Sequence, residues 1–324
     1  MKTFEEILEI IDIQINSIDW QRKPKGLYEP IEYVLSLGGK RLRPALTLMA
    51  NNLFSDNVLL ALSSAIGIEI FHNFTLLHDD IMDKADVRRG KLTVHKKWNE
   101  NTAILSGDVM QIIAYQYIAK TPSECLAEVL NIFSTTAAQI CDGQQLDMDF
   151  EKRQNVTKGE YLEMIKLKTA VLLGCALQIG AIIGKAAHID CNELYSFGIN
   201  LGLAFQLKDD LLDVWGDELT FGKKIGGDIL CNKKTFLLIN ALHIAKGKDK
   251  QELLFLLNSK NIIPDEKIQR VIEIFNRLKI KELTENEINF YYKKSLENLD
   301  NVSVESSKKE KLLILAKELL QRNK

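Results

Sequence analysis

Apolar residues recur near a 3.6-residue period along almost the whole chain, so the pattern predicts helix after helix. The helices are expected over residues 4–15, 27–37, 44–52, 59–83, 102–119, 123–149, 158–185, 192–215 and 234–246, with several more after Gln251. Alternation of period two, the mark of strands, is scarce. Breaker-rich or polar stretches at 121–123, 184–188 and 216–228 mark connections. The longest apolar run, 170–184, is interrupted by Gly174, Gln178 and Gly180. It is shorter than the roughly 20 residues of a membrane span, so it reads as a buried core helix. The pattern implies one all-α domain over residues 1–324, a helical bundle around a central cavity.

Composition narrows the class. A chain of 324 residues can bury a large core, and with five prolines and no Ser/Gly/Pro-rich linker it offers no place to cut it in two. A net charge of −2 argues against a nucleic-acid surface. The start, Met1-Lys2-Thr3-Phe4-Glu5-Glu6, lacks the apolar core of a signal peptide, so a cytoplasmic location is expected. Cys125, Cys141, Cys175, Cys191 and Cys231 stand singly with no C-x-x-C spacing, which predicts reduced residues and neither disulfides nor a zinc site.

Charge interrupts the apolar pattern in two matching places, Asp79-Asp80-Ile81-Met82-Asp83 and Asp209-Asp210-Leu211-Leu212-Asp213. On a helix the first and fifth residues of each share a face, and paired carboxylates repel unless a cation lies between them. One acidic run is ordinarily a solvated face. These two are embedded in apolar sequence, 68–77 and 201–207, where a carboxylate cluster is costly without cations. Aspartate oxygens suit Mg²⁺, which takes one or two carboxylates and completes its shell with water and phosphate oxygens. Two such faces opposed across a cleft would cage a diphosphate. Basic clusters flank the first motif: Gly38-Gly39-Lys40-Arg41-Leu42-Arg43-Pro44 upstream and Asp86-Val87-Arg88-Arg89-Gly90 downstream, with His72 two helical turns before Asp79. Arginine grips phosphate bidentately, lysine acts as a point charge, and glycine lets backbone approach an anion. The alternation of sign is what a metal-diphosphate site beside a metal-free anion site needs.

These residues and their order resemble the trans-isoprenyl diphosphate synthases, the polyprenyl synthetase family. GGKRLRP at 38–44, EIFHNFTLLHDDIMD at 69–83, DVRRG at 86–90, GQQLD at 143–147, KT at 168–169, FQLKDDLLD at 205–213, GKKIGGDI at 222–229 and NKKT at 232–235 carry the resemblance across about 200 residues. It implies an all-α isoprenoid synthase fold and a homodimer. Asp79 and Asp83 would hold two Mg²⁺ ions and Asp209 a third, with Asp80, Asp210 and Asp213 supporting. Arg88, Lys168, Lys223 and Lys233 would hold an allylic diphosphate; Lys40, Arg43, His72 and Arg89 would bind the diphosphate of isopentenyl diphosphate. Thr169 and Gln206 would place oxygen dipoles near a developing carbocation, and the segment 221–227 would form a lid. Leu92 stands where relatives commonly have proline, and Asn232 where glycine is frequent; neither change removes a charge.

The implied reaction joins isopentenyl diphosphate to dimethylallyl, geranyl or farnesyl diphosphate with trans geometry. Phe74, five residues and about 7.5 Å along the helix before Asp79, would be the floor for the growing chain, with small Thr75 beside it and Phe71 a turn deeper. The first motif lacks the two-residue insertion of bacterial farnesyl synthases, so the pattern resembles the archaeal geranylgeranyl type; a farnesyl product is the alternative. A terpene cyclase would replace the second acidic motif, and a silent regulatory subunit would have lost metal ligands. This chain keeps all six aspartates.

Overall fold

Helical spacing becomes helix at nearly every expected segment in the computed structural model, which describes residues 1–216, 225–259 and 261–321. In chain order the helices are α1 (Phe4–Asn16), α2 (Lys25–Ser36), α3 (Leu42–Phe54), α4 (Leu62–Met82), α5 (Val94–Lys97), α6 (Glu100–Ile118), α7 (Leu126–Lys152), α8 (Lys158–Ile165), α9 (Val171–Ile183) and α10 (His188–Trp215). They continue with α11 (Gly227–Leu230), α12 (Phe236–Ile244), α13 (Gly247–Asn258), α14 (Pro264–Arg277), α15 (Ile280–Asn301) and α16 (Ser306–Gln321). Reciprocal capping boxes, Thr3 with Glu6 and Thr157 with Glu160, start α1 and α8 by satisfying backbone N–H groups that have no partner inside the helix.

The departures from the period are local. A hairpin of two-residue strands, β1 (Val87–Arg88) and β2 (Lys91–Leu92), is too short to show alternation, and so is α5. A single 3-10 turn, Val58–Ala61, precedes α4. The stretch expected as one helix over 158–185 is broken by a π turn at Lys166–Ala170. The connection expected over 216–228 ends in the short helix α11.

The chain divides into two compact units: Met1–Ser134 with Cys175–Tyr195 and Val302–Lys311, and Thr135–Gly174 with Ser196–Asn301 and Leu312–Lys324. Helices α7, α9, α10 and α16 each contribute residues to both. In the first unit α3 is buried from Pro44 to Leu53, and Gly180 of α9 rests against the Thr47 carbonyl, where no side chain would fit. Gly67 likewise brings α4 against the α6 backbone at Ala114. The second unit has two apolar clusters. One joins Phe150, Tyr161, Ile165, Leu203, Leu207, Leu211 and Phe236; the other joins Val214, Leu237, Leu253, Leu256, Val271 and Phe275.

Among the described residues two helical stretches, Val58–Met82 and Lys158–Ile183, are long and apolar enough to cross a membrane, the second because helix precedes the apolar run by about three turns. Both are mostly buried within the protein. By contrast α6 presents Ile104, Leu105 and Ile112 to the surface.

Candidate active site

The first acidic motif lies at the C-terminal end of α4, whose last turn has no basic residue, and Asp83 caps it by donating its N–H to the Asp79 carbonyl at 2.8 Å. Carboxylates at the negative end of a helix dipole favour a nearby cation. Asp79 is half-buried and Asp83 exposed, one turn apart on one face. Two hard oxygen donors one turn apart, with water and phosphate oxygens to complete the shell, fit in kind the divalent metal the sequence implies; among the described residues no group of three or more such side chains could hold an ion by itself. Asp80 points elsewhere: it is 5 % exposed and is gripped by Arg88, with Nε 2.9 Å from both carboxylate oxygens and Nη2 2.7 Å from Oδ1. Asp80, expected in a supporting role, is thus the partner of Arg88. Arg88, expected at the allylic diphosphate, directs its fork to Asp80 here.

Around the start of α3 a cationic cluster forms. Arg43 Nη1 lies 3.0 Å from His72 Nε2. A guanidinium can only donate, so Nε2 accepts and His72 is the neutral imidazole protonated on Nδ1. Burial, reinforced by the charges of Arg43, Arg89, Arg88 and Arg41, holds the His72 pKa well below the ordinary histidine value. Burial likewise pushes Arg43 down to about 10, against the pull of Glu69, and its buried Nε has no partner among the described residues. Arg89 donates to the Gly38 carbonyl and lies over Gly39, where an added Cβ would strike the guanidinium. Lys40 follows directly in the chain. Three of the four residues expected to bind isopentenyl diphosphate, Arg43, His72 and Arg89, are thus gathered, with Lys40 adjoining.

Sequence reasoning missed what holds this cluster. Arg41 opens α3 in the left-handed region, φ 46, and its 7 %-exposed guanidinium donates to Glu69 Oε1 and to the Leu35 carbonyl, both at 2.7 Å. Glu69 is 2 % exposed and also accepts from Asn73 Nδ2 at 3.0 Å. An acid inside the apolar run 68–77 was the available signal for Glu69; nothing in the pattern singled out Asn73.

The second acidic motif has the same internal logic. Asp209 is half-buried near the C-terminal end of α10, again with no basic residue in the last turn. Asp210 is 4 % exposed, accepts a hydrogen bond from the Tyr161 hydroxyl and another from the Phe236 N–H at 3.3 Å. Burial raises its pKa to about 7; the Tyr161 bond opposes this, while the charge of Asp228 adds to it. Asp213 Oδ2 accepts the Asp228 N–H at 3.1 Å and its carbonyl accepts the Gly226 N–H at 2.7 Å. Asp213 and Asp210 therefore anchor the two ends of the segment 226–236, which carries Lys233.

The π turn between α8 and α9 carries Lys168 and Thr169. Gly143 of α7 lies against the Lys168 backbone, with no room for a Cβ, and one turn on Asp147 accepts Lys168 Nζ at 2.7 Å. Both residues belong to the GQQLD stretch, whose role the pattern left unassigned. Thr169 Oγ1 donates to Gln206 Oε1 at 3.3 Å, so this expected pair is brought together. Lys223, and residues 221–224 of the expected lid, lie outside the described residues. At the floor position Phe74 is 8 % exposed and touches Phe71 and His78, with ring centroids 5.4 and 4.7 Å apart; Phe133 backs Phe71 at 5.1 Å. The Thr75 hydroxyl donates to the His72 carbonyl at 2.8 Å.

Comparison with known proteins bears on the family and the fold. The chain is 41 % identical over 233 residues to geranylgeranyl diphosphate synthase of Methanosarcina mazei, covering 71 % of this chain and 72 % of that one. It is equally 41 % identical over 238 residues to geranylfarnesyl diphosphate synthase of Natronomonas pharaonis, covering 68 % and 70 %. The crystal structure of a geranylgeranyl pyrophosphate synthase superposes with a TM-score of 0.95 at 44 % identity, covering 99 % of each chain. The polyprenyl synthase of Caulobacter crescentus, complexed with calcium and isoprenyl diphosphate, superposes at 0.88 with 28 % identity, covering 99 % of this chain and 97 % of that one. The polyprenyl synthetase model matches residues 24–275, and with the all-α isoprenyl synthase fold and the two acidic motifs it shows that the chain belongs to the polyprenyl synthetase family, as a prenyltransferase of isoprenoid synthesis.

Proposed function

We propose that this chain condenses isopentenyl diphosphate with an allylic diphosphate, dimethylallyl, geranyl or farnesyl, to give all-trans geranylgeranyl diphosphate. The observation that carries the reading is the half-buried Arg43–His72 pair with the buried Arg43 Nε unpartnered among the described residues, a separate anion site close in sequence to an acidic helix end. The family uses divalent metal for diphosphate binding. Here Asp79 and Asp83 would hold two Mg²⁺ ions and Asp209 a third, supplying Lewis-acid neutralisation of the leaving group. Arg88, Lys168, Lys223 and Lys233 bind the allylic diphosphate, exchanging in the first two cases a carboxylate partner for phosphate oxygens. Lys40, Arg43, His72 and Arg89 bind isopentenyl diphosphate.

The allylic C–O bond breaks, the double bond of isopentenyl diphosphate attacks the cation, and the proton lost in elimination passes to the released pyrophosphate. Thr169 donates its hydroxyl hydrogen bond to Gln206 Oε1, so the hydroxyl lone pairs remain to face positive charge. Water must be kept out for the cation to survive, which is the work proposed for the segment 221–227.

Relatives of equal identity carry different product names, so overall likeness does not fix chain length. The tilted, contacting rings of Phe74 and Phe71 support a twenty-carbon floor. Exposed Ile104, Leu105 and Ile112 on α6 support a homodimer, which light scattering would test. Residues 1–324 are read as one functional domain because α7, α9, α10 and α16 run through both units, and burial of both long apolar helices supports a cytoplasmic location.

The decisive experiment incubates purified chain with isopentenyl diphosphate and labelled dimethylallyl or farnesyl diphosphate, with Mg²⁺ or with chelator, and separates the products by chromatography. A C20 product that vanishes on chelation is expected. A C15 end point would favour the farnesyl alternative, and no product with Mg²⁺ would overturn the reading.

A further inference from the structure

Helix α11 ends in a Schellman turn: the Lys233 N–H donates to the Asp228 carbonyl at 2.9 Å and the Asn232 N–H to the Ile229 carbonyl at 3.2 Å. That turn requires a left-handed residue between the last helical residues and Lys233, and Asn232 supplies it at φ 53. Glycine takes this conformation without strain; asparagine tolerates it better than other residues with a Cβ, but still at a cost that fixed partners offset. Asn232 is held from both sides. Its Nδ2 donates to the Leu257 carbonyl at 3.0 Å, and its Oδ1 accepts Lys267 Nζ at 2.7 Å.

Lys267 is an unusual partner. It stands on α14 with 7 % exposure, and its ammonium donates to two neutral oxygens, Asn232 Oδ1 and, at 3.3 Å, the Leu230 carbonyl. Burying a cation against neutral partners is a poor route to stability, and an apolar side chain of the same length would pack there at less cost. What the lysine does achieve is directional. Its two acceptors belong to the last residue of α11, Leu230, and to the left-handed residue two positions on, Asn232, so it fixes the angle at which the chain leaves the helix. The next residue is Lys233, which lines a small cavity with Asp210 and Asp228. The ends of this segment are already anchored by Asp213 and Asp210; Lys267 holds its middle.

We propose that Lys267 is a positioning residue of the diphosphate site, clamping Asn232 in its left-handed conformation and so aiming Lys233. The proposal rests on the reading of Lys233 as an allylic diphosphate ligand.

The test is steady-state kinetics of Lys267→Met, alone and combined with Asn232→Gly. The single variant should raise KM for the allylic substrate roughly fivefold, the factor one ordinary hydrogen bond is worth, with kcat and KM for isopentenyl diphosphate unchanged within twofold. Adding Asn232→Gly should restore the allylic KM, because glycine needs no clamp. An unchanged KM in Lys267→Met, or a rise that glycine does not reverse, would overturn the proposal. Should Lys267→Met fold poorly, Asn232→Ala against Asn232→Gly makes the same comparison: alanine should raise the allylic KM and glycine should not, and equal values would overturn it. Lys233→Met separates the two readings. If it leaves the allylic KM unchanged, the ligand assignment of Lys233 fails whatever Lys267 does.

Discussion

At the scale of single residues, the cationic cluster near α3 is organised by one buried counter-charge. Glu69 faces Arg41 at 2.7 Å with both side chains almost fully enclosed, so removing either partner strands a charge. Arg41→Met should cost about 3–5 kcal/mol in denaturant unfolding, while the double change with Glu69→Gln should cost less than the sum of the two single changes. His72 adds a pH dependence. Its folded pKa lies below the unfolded value of about 6.5, so below that pH the unfolded chain takes up a proton that the native cluster refuses. Stability is therefore lost as pH falls, by up to about 1.4 kcal/mol per unit until the folded pKa is reached. His72→Gln should flatten the decline in unfolding midpoint between about pH 6.5 and 5. Much of this cluster was legible because charge alternated with apolar sequence around 38–44 and 86–90. The partners were less so: that Arg88 grips Asp80 and Lys168 grips Asp147 depends on where separate elements meet, which period and spacing do not contain.

At the scale of elements, helix 59–83 was expected almost residue for residue because its apolar positions and its acidic end both declare themselves. The π turn at Lys166–Ala170 was not, since a π turn changes no residue type, only the phase of those that follow. Helix α4 bears the prediction on product length. Phe74 packs on Phe71 and His78 within the same helix, so truncating it has two separable effects. Phe74→Ala should lengthen the products seen by chromatography if the ring is a floor. If it were packing alone, the variant would lose about 3–5 kcal/mol and keep the wild-type product.

At the scale of the whole molecule, family and fold were legible because the motifs run in one order over some 200 residues, whereas oligomeric state and chain length depend on surfaces that no motif marks. Both acidic motifs close a helix at its negative end, with the second aspartate buried and the first half-buried. A fold built this way keeps part of its stability outside itself, in the surrounding solution. Cation binding to the native chain and not to the unfolded one adds stability as the logarithm of ion concentration, about 2.7 kcal/mol at a hundred times the dissociation constant. Mg²⁺ should accordingly raise the melting temperature above that in Na⁺ of equal ionic strength before any substrate is added, and Asp79→Asn should shrink the difference. The magnesium level of its surroundings would then govern how much of this chain is folded as well as how fast it turns over.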